Sequence, residues 1–382
     1  MKKLVIGLVS PYDYNVHGGV QEHTTNLGKA LTKLGHSVVY FSPSEEGSTI
    51  PQPHINIGYG VRLPTFNGSW AELSFSQTPS KTIKDTLAKH QIEILHFQEL
   101  LVPFASWSWI KRSSAINIAT YHAGWEVEST KQGPFSMYTQ FVKSKIFDYL
   151  HQTITVSPVS ERCNQLLLKD NIIIPPAIDI ASIQKKQKRP QAFNQPDNHL
   201  LFVGRLDERK GAHHLIKALY RMPKDIIQNT TLHIIGTGPG KTHLQSLIKR
   251  YKLVDRVIFH GAFSQDLKYA HMQHADIFIA PTTHGESFGM VLIEALAAGC
   301  PVIAGNNEGY ATTLTNYPCQ EYITDPTKYK NFAQVIAQLL TNKTHKTKIK
   351  KWATSFVPQF DAMQVAKKHE KIYLEAMEKN KR

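Results

Sequence analysis

Short apolar runs rich in β-branched residues alternate with helix-period segments along the whole chain, and no other feature restricts its fold as much. In the first half the runs are KLVIGLVS, HSVVYFSP, IEILHF, INIATYH and QTITVS. In the second they are HLLFVGR, TLHIIG, RVIFHG, DIFIAP and PVIAG. Strands that alternate with helices build open parallel sheets covered on both faces, with ligand crevices at the carboxyl ends of the strands. The series restarts after PPAIDIASIQKKQKRPQAFNQPDN, residues 175–198, a Pro-, Gln- and Lys-rich stretch without clear periodicity. At 382 residues the chain also exceeds the size at which one core stops growing. The expected fold is therefore α/β: two doubly wound Rossmann-like domains, 1–178 and 179–356, hinged near 175–198, with the active site expected in the cleft between them. The last segment, 357–382, is helical in period and can pack back on the first domain.

The opening MKKLVIGLVS is basic at its start, but its apolar run ends after six residues, short of the roughly 7 to 15 of a signal peptide. It reads as a first strand. The longest apolar stretches fall well below the roughly 18 residues of a membrane span, so a soluble protein is expected. Cys163, Cys300 and Cys319 form no CxxC pair, which argues against a disulfide framework or a structural zinc site and fits a reduced, cytoplasmic setting. The net charge of +14 is uneven, with 23 basic against 13 acidic residues between 179 and 356. An anionic partner is expected: a nucleotide, an acidic membrane surface or nucleic acid.

Three glycine-bearing loops follow strands. HGGV, residues 17–20, precedes a helix whose free amides can meet a phosphate; a tight turn explains the glycines equally well. GRLDERKG, residues 204–211, carries Arg205, Arg209 and Lys210, cations suited to a diphosphate. GTGPGKT, residues 236–242, resembles a Walker A loop but has Ile235 where that motif needs its first glycine. No DxD pair or HExxH segment offers a metal site, so basic side chains and helix-terminal amides are expected to neutralise phosphate instead.

HGESFGMVLIEALAAG, residues 284–299, sets Glu286 and Glu294 eight positions apart at the head of an apolar helix expected from about Phe288 to Leu296. Eight helical residues rise roughly 12 Å, more than the roughly 5 to 9.5 Å that separates paired glycosidase carboxylates. The spacing suits two contacts on one long ligand whose diphosphate rests on the amides of Ser287, Phe288, Gly289 and Met290. Against this stands a plain reading, Glu286 as a helix-dipole carboxylate and Glu294 facing solvent; Glu294 interrupts MVLIEALAA, where an unpaired charge is costly.

ESFGMVLIE resembles the E-x7-E signature of retaining glycosyltransferases of family 4, which have the two-domain GT-B architecture. GRLDERKG, HIIGTGPG and DIFIAPTTHGESFG resemble that family's second domain in order and spacing. SPYDYNVHGGVQEH and PTFNGSW are similar to bacterial phosphatidylinositol mannosyltransferases. The resemblance implies a GDP- or UDP-hexose donor, mannose favoured, with no tightly bound cofactor and no metal. It places Glu294 on the ribose, Glu286 on the hexose hydroxyls, Arg205 and Lys210 on the diphosphate, Gly19 opposite the diphosphate, Lys268 near the donor and His122 facing the sugar. On the acceptor side it implies Tyr12, Gln21 and Asn67.

Two positions depart from that subfamily. Glu72 stands where an arginine would hold the inositol phosphate, and Gln265 where an aspartate lies near the base, so the acceptor and the guanine preference stay open. A lipid or lipid-linked acceptor at the inner membrane face is expected, with Lys81, Lys84 and Lys89 of SKTIKDTLAKHQ as a candidate headgroup surface. The alternatives are a soluble or polysaccharide acceptor, and nucleic-acid binding, for which the chain lacks an aromatic-basic platform or a recognition helix.

Overall fold

The central strands of the first sheet are buried on both faces, so they read as apolar runs rather than alternating ones, while its edge strands are partly or fully exposed. In the computed structural model, which describes every residue except 1, 17, 45–49, 65–69, 77, 125–133, 196, 263 and 382, the strands of this sheet are β1 (Val5–Val9), β2 (Ser37–Ser42), β3 (His54–Asn56), β6 (Ile94–Gln98), β7 (Ile116–Tyr121), β8 (Gln152–Thr155) and β9 (Ile172–Ile173). They pair in parallel in the order β3-β2-β1-β6-β7-β8-β9. β4 (Tyr59–Pro64) and β5 (Trp70–Phe75) form a separate antiparallel pair. The order reverses between β1 and β6, so the loops leaving their carboxyl ends flank a crevice, the usual place for a ligand in such a sheet.

The second sheet runs β12-β11-β10-β13-β14-β15, also parallel. Its strands are β10 (Asn198–Val203), β11 (Thr230–Ile235), β12 (Val257–Gly261), β13 (Ile277–Ala280), β14 (Val302–Gly305) and β15 (Ile323–Thr324). Here the switch point lies between β10 and β13, and the loops that leave them are GRLDERKG and PTTHGESFG. The chain divides at Ile178, with Met1–Ile178 and Phe360–Arg382 in one unit and Asp179–Gln359 in the other. The stretch from 175 to 198 is not structureless. Asp179 caps a short helix, Ile180–Gln184, by accepting the Ser182 N–H at 3.1 Å, and Gln191–Phe193 forms one 3-10 turn. Elements of three to five residues are too short to leave a periodic signal.

The helix Ala362–Lys381 completes the first unit. Its buried positions, Ala362, Val365, Ala366, His369, Ile372, Tyr373 and Ala376, recur every three or four residues and form one apolar face. That face joins a core with Leu4, Ile6, Leu27, Leu31, Ile94 and Ile118. A buried polar contact fixes its register. His36 accepts the Leu4 N–H on Nδ1 at 3.2 Å, so its Nε2 carries the hydrogen that Glu370 accepts at 3.1 Å. Replacing Ile372 with Ala should therefore cost about 2 to 5 kcal/mol; urea unfolding that shows less than about 1 kcal/mol would mean the helix is not integral to this core.

In the second unit, histidines inside successive strands form a chain. His199 Nε2 meets Gln195 O at 3.2 Å, His199 Nδ1 meets His233 Nε2 at 3.0 Å, and His233 Nδ1 meets His260 Nε2 at 3.0 Å. A carbonyl only accepts, so one tautomer sequence satisfies the run, each Nε2–H donating to the next acceptor. Phe193 stacks on His233 with centroids 4.2 Å apart, and His271 packs edge-on against His260. Burial, and then the neighbouring rings, hold His233 down to about 3 and His260 to about 4, and His199 and His271 also shift downward through burial. Folded, these rings bind fewer protons than they do unfolded between about pH 6.5 and pH 3. Their contribution to stability is thus complete above pH 6.5 and falls as pH drops through that window. The thermal midpoint should decline between pH 7 and pH 5, with a shallower slope in a His260→Gln variant; a pH-independent midpoint would refute the assignment.

Candidate functional site

Glycine contacts set the loops of the second unit. A Cβ on Gly236 would lie 1.9 Å from Gly204 O, and one on Gly238 2.7 Å from Leu206 backbone. Leu206 N–H donates to Thr237 O at 2.9 Å and Gly240 N–H to Leu206 O at 2.7 Å. The GTGPG glycines therefore serve backbone-on-backbone packing that braces the GRLDERKG loop, which accounts for a Walker-like sequence without the Walker spacing. Gly211 takes φ 72°, and a Cβ there would sit 2.0 Å from Pro281 O, so only glycine lets the β10 and β13 loops approach.

That approach brings Arg209, Lys210 and Glu286 together. Arg209 Nη1 donates to Glu286 Oε1 at 2.8 Å and to Gly285 O at 2.9 Å, and Lys210 Nζ donates to the same carboxylate oxygen. Glu286 is nearly buried, with 12% of its side chain exposed. Burial alone would raise its pKa, but Lys210 and Arg209 outweigh that and hold it below the ordinary carboxylate range. Lys210 also shifts downward, because burial costs the ammonium more than Glu286 returns. Held below the ordinary carboxylate range, Glu286 is ionised at neutral pH. Arg209 Nε is buried and has no hydrogen-bond partner among the described residues. Arg205 lies further out, 39% exposed and paired with Asp207 at 3.1 Å, so Arg209 rather than Arg205 holds Glu286.

The helix spans Met290–Ala297, beginning two residues later than expected, because Gly289 at φ 90° caps it and Ser287 and Phe288 remain in the loop. Tyr310 explains the glycine, as a Cβ at 289 would meet its ring at 2.4 Å. Glu294 does not face solvent. It is 2% exposed inside the apolar helix, and Lys268 Nζ reaches its Oε1 at 2.7 Å. Two buried carboxylates, each with its own cations, thus lie along one loop-helix segment.

In the first unit the expected residues that are described, Tyr12, Gly19, Gln21 and His122, follow the carboxyl ends of β1 and β7, and Gln98 and Glu99 lie at the end of β6 between those strands. Glu99, at φ 59° and buried, accepts the backbone N–H groups of His122 at 2.9 Å and Ala123 at 2.7 Å on one carboxylate oxygen. Its other oxygen is buried without a partner among the described residues, and burial pushes its carboxyl up to about 7. The His122 ring meets Gln98 Oε1 at 2.7 Å and lies 5.0 Å from the ring of His23, on the helix Gly19–Lys33. Burial, and then His369, hold His122 down to about 3, so it is neutral. Gln21, on the same helix, donates to Asp13 O at 3.2 Å, and burial followed by the charge of Glu99 raises the Tyr12 phenol. Gly18, before the helix that begins at Gly19, is extended at φ −162°, a conformation open to any residue, so no tight turn demands it. Asn67 and His17 lie outside the described residues, as does the side chain of Glu72, although in backbone register Glu72 pairs with Arg62.

Sequence reasoning missed Gln98, Glu99, His23 and Asp207. The first two follow the strand IEILHF as directly as His122 follows INIATY, so the strand-end rule that singled out His122 applied to them equally. Among the described residues Cys319, Glu321 and His345 form the one group of metal-capable donors, apart from the loops above; His345 Nδ1 there meets Tyr322 Oη at 2.7 Å. No helix among the described residues is long and apolar enough to cross a membrane. Lys81, Lys84 and Lys89 are exposed on the helix Ser80–Lys89.

Two Rossmann-like domains with parallel sheets make up the GT-B fold, and the chain belongs to glycosyltransferase family 4. The family model for Glycosyltransferase Family 4 matches residues 17–181, and that for Glycosyl transferases group 1 matches residues 183–356. The chain is 30% identical over 311 residues to the phosphatidyl-myo-inositol mannosyltransferase of Mycobacterium tuberculosis, covering 81% of this chain and 79% of that one. Among solved structures it is similar to a glycosyltransferase from Rickettsia africae, with TM-score 0.76 and 19% identity over 99% of both chains. It is also similar to HepE of Anabaena in complex with UDP, with TM-score 0.74 and 17% identity over 97% of this chain and 100% of that one. These structures share its GT-B fold.

Removing one partner of a buried pair strands the other charge. Lys268→Met should cost about 3 kcal/mol, and adding Glu294→Gln should restore part of it. Denaturant titration of the two variants checks this, and a single-variant loss below about 1 kcal/mol would show that the pair is not what keeps Glu294 buried.

Proposed function

We propose that the protein transfers a hexose, mannose favoured, from a GDP- or UDP-sugar to a lipid or lipid-linked acceptor with retention of configuration. The observation that carries this reading is the placement of Glu286 and Glu294, both buried and both cation-paired, at the switch point of a sheet whose family uses nucleotide sugars. Glu286 is fixed to accept hydrogen bonds from hexose hydroxyls, and Glu294 from the ribose. Arg205, Arg209 and Lys210 face the diphosphate, and Arg209 Nε offers a buried donor with no described partner. As the glycosidic bond breaks, negative charge accumulates on the departing diphosphate, where cations held in a site of low dielectric act most strongly. The amides of Ser287 to Met290 at the head of the helix add to that field. Lys268 reaches the donor alongside Glu294, Gly19 approaches the diphosphate from the first domain, and His122 meets the hexose. This chemistry calls for no metal ion.

For the acceptor, Tyr12, Gln21 and Asn67 belong to the first domain, and a relative named phosphatidyl-myo-inositol mannosyltransferase supports a lipid. Glu72, an anion beside a phosphate headgroup, favours an acceptor other than phosphatidylinositol itself. The exposed Lys81, Lys84 and Lys89 suit an anionic membrane surface, and the protein would act at the cytoplasmic face. The test is a panel of GDP- and UDP-sugars with liposomes containing or lacking phosphatidylinositol, with products identified by mass spectrometry. Glycosylated lipid is the expected product; transfer only to a soluble acceptor would overturn the lipid assignment and leave the donor site standing.

Glu286→Ala should lower the transfer rate by about 100-fold or more, because its contacts strengthen on the way to the transition state. Nucleoside diphosphate affinity, measured by calorimetry, should change little. An unchanged rate would remove Glu286 from the reaction.

A further inference from the structure

His122 is not oriented by its own loop alone. Its Nε2 lies 2.7 Å from Gln98 Oε1, and a carboxamide oxygen only accepts, so the hydrogen of the neutral ring sits on Nε2. Gln98 is fully buried, and its amide nitrogen points at Nε2 of His96, 3.4 Å away. His96 is itself fully buried, held by Thr120 Oγ1 at 2.7 Å on Nε2 and by Tyr373 Oη at 2.8 Å on Nδ1. With Nε2 of His96 accepting from Thr120 and Gln98, its Nδ1–H donates to Tyr373. A continuous run, Tyr373–His96–Gln98–His122, therefore joins the helix Ala362–Lys381 to the ring expected to face the sugar. Among the described residues no hydrogen bond occupies Nδ1 of His122.

We infer that Gln98 is a positioning residue that fixes His122 as the Nε2–H tautomer and so presents Nδ1 as a hydrogen-bond acceptor for a hydroxyl of the transferred hexose. This deepens the proposed function and rests on it for the sugar, though not for the tautomer. The alternative tautomer would turn a donor toward the site and leave Gln98 Oε1, buried and facing a lone pair, without its hydrogen. Neither Thr120 nor Tyr373 touches His122, so the chain acts through Gln98. The amide is held between His96, on its own strand, and His122, just beyond β7, which gives it few other orientations.

Long-range proton–nitrogen spectra of protein labelled with 15N-histidine test this directly, the His122 signals being those lost in His122→Gln. The wild type should give the Nε2–H pattern, unchanged between pH 5.5 and 8. Gln98→Leu should give a mixture of tautomers, with kcat lower by about fivefold, the size of one neutral hydrogen bond, and thermal stability measured alongside. Gln98→Glu keeps the acceptor and places a carboxylate against Nε2–H, so His122 should retain its tautomer and begin to titrate within the accessible range, adding a pH-dependent limb to kcat. A purely structural role for Gln98 would not move that profile. The inference is overturned by an Nδ1–H pattern in the wild type, or by a Gln98→Leu protein that keeps both the Nε2–H pattern and its kcat. The spectra need neither donor nor acceptor, so they decide the tautomer whatever the transfer assays return.

Discussion

A carboxylate withdrawn from water must have cations beside it or take up a proton, and that constraint shapes the second domain of this protein. Glu286 lies at the end of the loop after β13, and the cations it requires, Arg209 and Lys210, lie at the end of the loop after β10. The ion pair therefore ties the two loops together across the switch point. Gly211 against Pro281 removes the side chain that would keep them apart, and Gly309, on the helix Glu308–Thr313 after β14, leaves room for the Glu286 carbonyl, which a Cβ would approach within 2.2 Å. Glu294 and Lys268 repeat the arrangement one helix further on. The result is a set of charges whose orientation is set by the fold itself.

The first domain meets burial differently. Its candidate site is built from groups that stay neutral: His122, His96, His23 and His369 are all pushed well down by burial. Directional hydrogen bonds, not charge pairs, set their orientation. Glu99 is the exception, a buried carboxylate resting on two backbone N–H groups, and burial lifts it to about 7.

The alternation of apolar runs made the two parallel sheets legible, because a strand buried on both faces needs an unbroken apolar sequence. Glu294 was legible for a related reason, since a charge inside MVLIEALAA has to be compensated, and Glu286 was legible from its place at the head of that helix. The partners were not legible. That Arg209 rather than Arg205 would hold Glu286 depends on how the chain turns after Asp207, which accepts the Lys210 N–H at 3.1 Å and pairs with Arg205. Gln98 and Glu99 were open to the same strand-end rule as His122 and were passed over as the loop that ends a strand. Tyr373 lies 277 residues from His96, too far along the chain for any local pattern to connect them. The GTGPG glycines, already set aside as a Walker loop by their spacing, serve a close backbone neighbour instead.

The helix Ala362–Lys381 is the last part of the first unit to be made, and the whole of Asp179–Gln359 must be translated before it emerges. At about 5 to 20 residues per second, the sheet of β1 to β9 waits roughly 10 to 40 s for the surface that covers Leu27, Leu31 and Ile118 and for the carboxylate that His36 requires. Folding during synthesis therefore cannot proceed strictly from the amino end. The second unit, contiguous in sequence, can close first, while the earlier-made half stays open, with apolar surface available to chaperones, until the chain returns to it.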